Sequence, residues 1–215
     1  MLDPLQFKLR IGAPDSFALV CLPQLLQTFE RVYPLLKVAL TIENSSVLAQ
    51  SLNDGDLDIA FVAEPQVNAD VRAEYLGSMG FNWVASPRLK LPRRGVRPAL
   101  LAEHQIFTNP DPSKLNTLTR DWFARAGHES MQFSTCNNLS VIVHLTVSGA
   151  GISLLPTSIV ERELRSRQLR RVPTTAPLPR QRFFACYRMA RSGKVVADLV
   201  RLARKVMLRK KFLER

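Results

Sequence analysis

The sequence predicts an α/β protein made of two similar lobes with a cleft between them. Three observations lead there. Strand-like and helix-like stretches alternate along the chain, the pattern of α/β folds with largely parallel sheets. A strand-helix-strand-helix-strand series over 7–62 recurs over 105–155, as an architectural repeat without sequence identity. Between the two lies a looser segment, Pro87 to Pro98, carrying Arg88, Lys90, Arg93 and Arg94. In open α/β sheets ligands sit beyond the carboxyl ends of the strands, where helix N-termini point.

Each element has a local reason. Phe7 to Ala13 reads as the first strand, followed by a turn at Pro14-Asp15-Ser16. Leu22, Leu25, Leu26, Phe29, Val32 and Tyr33 are spaced as one helix face. Pro23 falls in the first turn of that helix, where a missing N–H costs little, and Pro34 ends it. Val38 to Ile42 is the second strand. Asn44-Ser45-Ser46 offers capping side chains for a helix to Asp54, closed by Gly55. Leu57 to Val62 and Gly80 to Ser86 read as strands, and Asp54, Asp56 and Asp58 as turn residues.

In the second series Gln105 to Thr108 is a strand, and Pro112-Ser113 opens a helix with Leu115, Leu118, Trp122 and Phe123 inward. Met131 to Thr135 is a strand. Asn137-Asn138 caps a helix closed by Gly149. Gly151 to Leu155 is a strand stopped by Pro156, which also suits the first turn of a following helix. Leu169 to Pro173 and Phe183 to Arg188 read as strands. Lys194 to Lys211 reads as an amphipathic helix with Val195, Leu199, Leu202, Val206 and Phe212 or Leu213 inward.

Composition sets the class. The 215 residues suffice for two small lobes, each with a core. Hydrophobic residues make up 46% and charged residues 22%, as in ordinary globular proteins. No apolar run approaches the ~20 residues of a membrane helix, and the N-terminus does not read as a signal peptide. Its abrupt start suits a piece of a longer protein. Cys21, Cys136 and Cys186 are odd in number and widely spaced, so three reduced thiols in a cytoplasmic protein are expected. The net charge of +12 is uneven: residues 1–161 sum to −2 and residues 162–215 to +14. Such a basic quarter attracts nucleic acid or simply solvates a helix face.

Motifs for catalysis are missing. There is no GxSxG elbow, HExxH or P-loop. Gly149-Ala150-Gly151 precedes a strand instead of following one. His104, His128 and His144 stand alone, without a second metal ligand at a suitable spacing. The expectation is no catalytic residue, no metal and no cofactor.

Four stretches, in order, carry a resemblance. They are Leu9-Arg10-Ile11-Gly12 with Leu22-Pro23, Phe29 and Tyr33-Pro34; Leu52 to Ala60; Asp121-Trp122-Phe123; and Val147-Ser148-Gly149-Ala150-Gly151-Ile152-Ser153-Leu154-Leu155-Pro156. Together they resemble the effector-binding domain of LysR-type transcriptional regulators over about 7–211. The resemblance implies two Rossmann-like lobes with a central cleft, the type 2 periplasmic-binding-protein fold. Lobe I would be 1–82 with 187–215, and lobe II 83–186. It also implies an N-terminal winged helix-turn-helix that this chain does not carry, so DNA would be reached only through that missing part.

The effector contacts implied on lobe I are Asp15, Ser16 and Phe17, then Asn44, Ser45 and Ser46, with Ala63 and Glu64 at the crossover. On lobe II they are Thr108, Asn109, Thr135, Asn137 and Leu155. Ser16 is favoured as a ligand contact, while Ser45 and Asn137 serve equally well as helix caps. Asp15, Glu43, Glu64 and Asp111 fall on these loops with no Arg or Lys close in sequence, which suggests a neutral or amine-bearing effector. The family's mechanism implies ligand-driven population shift in a homodimer or tetramer, with the Leu22 to Tyr33 helix against the Asn138 to Ser148 helix of a partner. Two other readings stand beside this one: a transporter's solute-binding protein, and an enzyme on a two-lobed fold.

Overall fold

The computed structural model describes residues 8–191 and 193–213. Phe7 of the expected first strand lies outside them. The chain forms two compact units. One takes the chain up to Ser78 together with the stretch from Gln181 onward; the other is Met79–Arg180.

The first unit opens with β1 (Lys8–Ala13), α1 (Asp15–Val20), α2 (Leu22–Val32), β2 (Lys37–Ile42), α3 (Ser45–Asp54) and β3 (Ile59–Ala63). It then takes the start of β4 (Val71–Ala85) and closes with β9 (Arg180–Arg188) and α8 (Lys194–Arg209). The strand order is β2-β1-β3-β9-β4. β1 runs parallel to β2, Lys8 opposite Lys37 through Ala13 opposite Ile42, and parallel to β3. β9 runs antiparallel to β3, Ile59 opposite Tyr187. The sheet is therefore mixed where a largely parallel one was expected. The expected turn at Pro14-Asp15-Ser16 is instead the start of α1: Pro14 is its N-cap in extended backbone, and Phe17 and Ala18 donate to its carbonyl.

Gly12 has no room for a side chain. A Cβ there would lie 2.6 Å from Leu57 Cδ1 and 2.8 Å from Leu48 Cδ2, so α3 can close onto β1 only over glycine. The core is aromatic on one side. Phe17 stacks on Phe61 with centroids 4.5 Å apart and meets Phe183 and Phe212. α8 buries Val196, Leu199, Val200, Ala203, Val206 and Met207. Its buried stripe is thus turned from the expected one, leaving Val195 and Leu202 half-buried at its edge.

The second unit holds the rest of β4, then α4 (Pro98–Ala102), β5 (Phe107–Thr108), α5 (Lys114–Ala124), β6 (Ser134–Thr135) and α6 (Leu139–Ser148). β7 (Ile152–Pro156), α7 (Glu161–Arg165) and β8 (Arg170–Arg171) follow. β7 and β8 pair antiparallel with β4, and β5 pairs in parallel with β6. Pro156 is not in a helix: it is the last residue of β7, opposite Phe81, and α7 begins only at Glu161. Gly149 takes the left-handed conformation, φ 87°, that ends α6. Trp83, Trp122 and Phe123 form the aromatic centre, and Trp122 Nε1 donates to Pro177 O at 2.9 Å.

Candidate functional site: polar strand ends in each unit

In the first unit, α1 and α3 start at the carboxyl ends of β1 and β2. Glu43 N donates to Ala13 O at 3.3 Å and ties the two strand ends together. Ser16, in the first turn of α1, is 7% exposed. Among the described residues its hydroxyl has no hydrogen-bond partner. The Ser16 hydroxyl is not one of the fully buried unpartnered polar atoms among the described residues, so solvent or a ligand can reach it and supply a partner. Asp15 is half-buried beside it. Phe17 spends its ring in the aromatic core.

Asn44 is the N-cap of α3, yet its side chain makes no capping bond. Ser45 is no cap either: its Oγ accepts from Ala63 N at 3.0 Å, fastening the first turn of α3 to the end of β3. Ser46 is half-buried in the same turn. These residues, Ala63 included, come together at one end of the sheet.

Glu64 follows at φ 43°. Its carboxylate accepts from Arg182 Nε and from Arg182 NH2, the latter at 2.9 Å, and from the Arg182 backbone N–H at 3.0 Å. This pair raises the arginine's pKa, through the hydrogen bond first. Arg182 is the residue that sequence reasoning missed. It lies 118 positions away, and only β9 pairing beside β3 brings it in. The premise that no cation stands among the acidic loops therefore fails at Glu64.

The second unit presents its own set. Thr108 is 1% exposed and shares a hydrogen bond with Thr119 at 3.4 Å. Asn109 donates to Cys136 O at 2.9 Å, and its own carbonyl accepts from Asn116 at 2.7 Å. The carboxyl ends of parallel β5 and β6 are thereby joined, and α5 is tied to the end of β5. Thr135 and Asn137 are exposed. Asn138, not Asn137, caps α6, accepting from Val141 N at 3.2 Å. Leu155 is fully buried in β7.

Asp58, expected as a turn residue, is a buried anchor. Its carboxylate accepts from Arg10 NH2 at 2.8 Å and from the Arg10 backbone N–H at 2.8 Å. Its place inside the otherwise apolar run 57–63 is the signal that separates it from the exposed Asp54 and Asp56. Cys21 and Cys186 are buried, and burial pushes both thiols up to about 12, so neither is a ready nucleophile. Among the described residues no group of three or more His, Cys, Asp or Glu is placed to hold a metal. No described helix is long and apolar enough to cross a membrane.

Comparison with known proteins decides the family. The profile of the LysR substrate binding domain matches residues 3–208. The chain belongs to that family. A Mycobacterium leprae relative, a probable hydrogen peroxide-inducible genes activator, is 26% identical over 89% of this chain and 62% of its own length. A phosphonates import ATP-binding protein from Anaeromyxobacter dehalogenans is 26% identical over 76% of this chain but 34% of its own length. This LysR substrate binding domain thus spans under two thirds of either relative. The solved effector-binding domain of BenM with its effector benzoate superposes with a TM-score of 0.75 at 19% identity, covering 98% of this chain and 96% of that one. The fold is that of the type 2 periplasmic binding proteins.

Proposed function

We propose that this chain is the small-molecule-sensing regulatory domain of a LysR-type transcriptional regulator. The observation that carries the reading is the family match over nearly the whole chain. The same match argues against a transporter's solute-binding protein and points to a regulator family instead of an enzyme. Lobe I, as proposed, is 1–82 with 187–215, and lobe II is 83–186. The regulator works in the cytoplasm as a homodimer or tetramer, with the α2 helix of one copy against α6 of another. It reads DNA through a winged helix-turn-helix outside this chain.

The effector is a small polar molecule. Its proposed anchor is Ser16, whose hydroxyl lacks a partner, with Asn44 beside it as a second uncommitted side chain. Asp15, Ser45, Ser46, Ala63 and Glu64 complete the first unit's contribution, and Phe17 shapes the loop from below. Thr108, Asn109, Thr135, Asn137 and Leu155 are the proposed contacts of the second unit. Sensing is non-covalent: a peroxide-reactive thiol pair has no support in two buried cysteines of raised pKa. Effector binding shifts the population of conformers, and that shift is relayed to the DNA-binding part.

A thermal-shift screen of the chain against aromatic acids, amino acids and amines tests this. A ligand that binds only the folded state raises Tm by mass action. The expected result is a saturable rise that Ser16→Ala abolishes while Lys205→Gln, on the exposed face of α8, leaves it intact. A rise untouched by both Ser16→Ala and Asn44→Ala moves the site elsewhere.

A further inference from the structure

The second unit carries a shallow groove of about 700 Å³ that no effector contact uses. Four arginines line it: Arg165, Arg167, Arg170 and Arg171. The groove's single acidic lining residue, Glu161, is already paired with Arg165. Among the described residues Arg167, Arg170 and Arg171 make no ion pair with any carboxylate. Three positive charges are thus held within five residues without compensation.

The groove is built to keep them there. Arg170 NH2 donates to Leu91 O at 2.8 Å and to Leu89 O at 3.4 Å, so the guanidinium is fixed by carbonyls that carry no net charge. Burial and the nearby Arg93 both lower its pKa, the direction expected of a cation among cations. Arg167 adopts φ 59°, a left-handed conformation that glycine or asparagine would hold at lower cost. Arg167 and Arg171 are exposed. Repulsion among such charges is relieved by an anion with several charged groups in a row.

We infer that this arginine groove is a contact surface for the phosphate backbone of duplex DNA. The inference rests on the regulator reading, which ties the chain to a DNA-binding part and so raises the local concentration of phosphates. A duplex offers one negative charge per ~1.7 Å of axis, matching a row of guanidinium forks better than a single small anion does. The contact is independent of base sequence, since a shallow, open groove meets the phosphates that line the outside of a duplex and does not enter a base-lined groove.

The test is fluorescence anisotropy of this chain with two labelled duplexes of unrelated sequence, titrated over salt concentration. The expected result is binding to both at low salt. Arg167→Gln with Arg171→Gln should weaken both equally and reduce the slope of log K against log salt by about 1 per arginine. Arg170 is kept, because it holds the 89–91 loop, and thermal unfolding of the variant confirms that it folds. Lys205→Gln on α8 with Lys210→Gln just after it should leave the slope unchanged. The inference is overturned if wild type does not bind either duplex, if the α8 variant loses the binding instead, or if poly-glutamate of equal charge competes as well as DNA. Failure here leaves the effector-dependent Tm shift standing. Loss of that shift with DNA binding intact would strike the regulator reading alone.

Discussion

Asp58 and Thr146 occupy comparable places in the two units. Each is a buried polar side chain, 3% and 0% exposed, fastening one element to the next. Asp58 does it with charge, through Arg10. Thr146 does it without, through Ser153 Oγ of β7 at 2.9 Å, while it also donates back along its own helix to Ile142 O at 2.8 Å. The contrast extends outward. The first unit pairs several of its acids internally: Glu64 with Arg182, Asp70 with Arg188, Glu74 with Arg204, Asp198 with Lys194 and Arg201. The second unit joins its elements with neutral hydroxyls and amides, such as Asn82 with Thr157 and Asn109 with Cys136 O. Of its groove arginines, Arg167 and Arg171 are left to face solvent, or a polyanion. Salt and acid should act on the first unit, and hardly on the joints of the second.

The largest expected effect is at the charged joint. Asp58→Ala removes two side-chain bonds and the acceptor for the Arg10 N–H, and should cost about 3 kcal/mol in urea unfolding. Asp58→Asn, which keeps an acceptor, should cost less. Thr146→Val leaves Ser153 Oγ buried without that partner and should cost about 1–2 kcal/mol, equally at low and high salt. If Thr146→Val proves salt-sensitive, the contrast between the units fails. Glu64→Gln touches an exposed pair and should cost under about 1 kcal/mol, shrinking as salt rises.

Acid gives a subtler test. Hydrogen bonds from Lys194, Tyr33 and Arg201 hold the Asp198 carboxyl well below its ordinary value of 3.8. A depressed carboxyl contributes stability that is present above its ordinary pKa and is lost as pH falls through the folded one. Asp198→Asn should therefore flatten the acid limb of the stability curve below about pH 4. The smallest effect concerns thiols. Only Cys136 should react with a disulfide reagent in the native chain, and all three after unfolding, because Cys21 and Cys186 are buried with thiols pushed up to about 12.

Local signals were legible in the sequence. Pro23 and Pro34 bound α2, Gly55 and Gly149 close α3 and α6, and Ser113 caps α5 as its spacing suggested. What depended on distant pairing was not. β4 starts at Val71, nine residues before the strand that its apolar end suggests, because its first half is largely solvent-facing, with Arg72, Ala73 and Tyr75 exposed and no alternation to mark it. Pro156 reads as a helix opener from its neighbours, yet it ends a strand because Phe81 lies opposite. The site divided in the same way. The position of Ser16 and Asn44 at helix starts after strands was legible. Ser45 was read as a possible cap because its true partner, Ala63 N, is 18 residues away. Arg182 was invisible for the same reason.

The bond between Ser45 and Ala63 sets a chemical polarity. A serine hydroxyl has one proton and two lone pairs. The Ala63 N–H already occupies one lone pair, so what Ser45 offers best to a newcomer is its proton. If the effector meets Ser45 as proposed, a carbonyl, carboxylate or ether oxygen can take that proton, while an N–H group has only the one remaining lone pair. Exchanging Ser45 for threonine keeps that handedness of recognition, whereas exchanging it for cysteine weakens both halves of it.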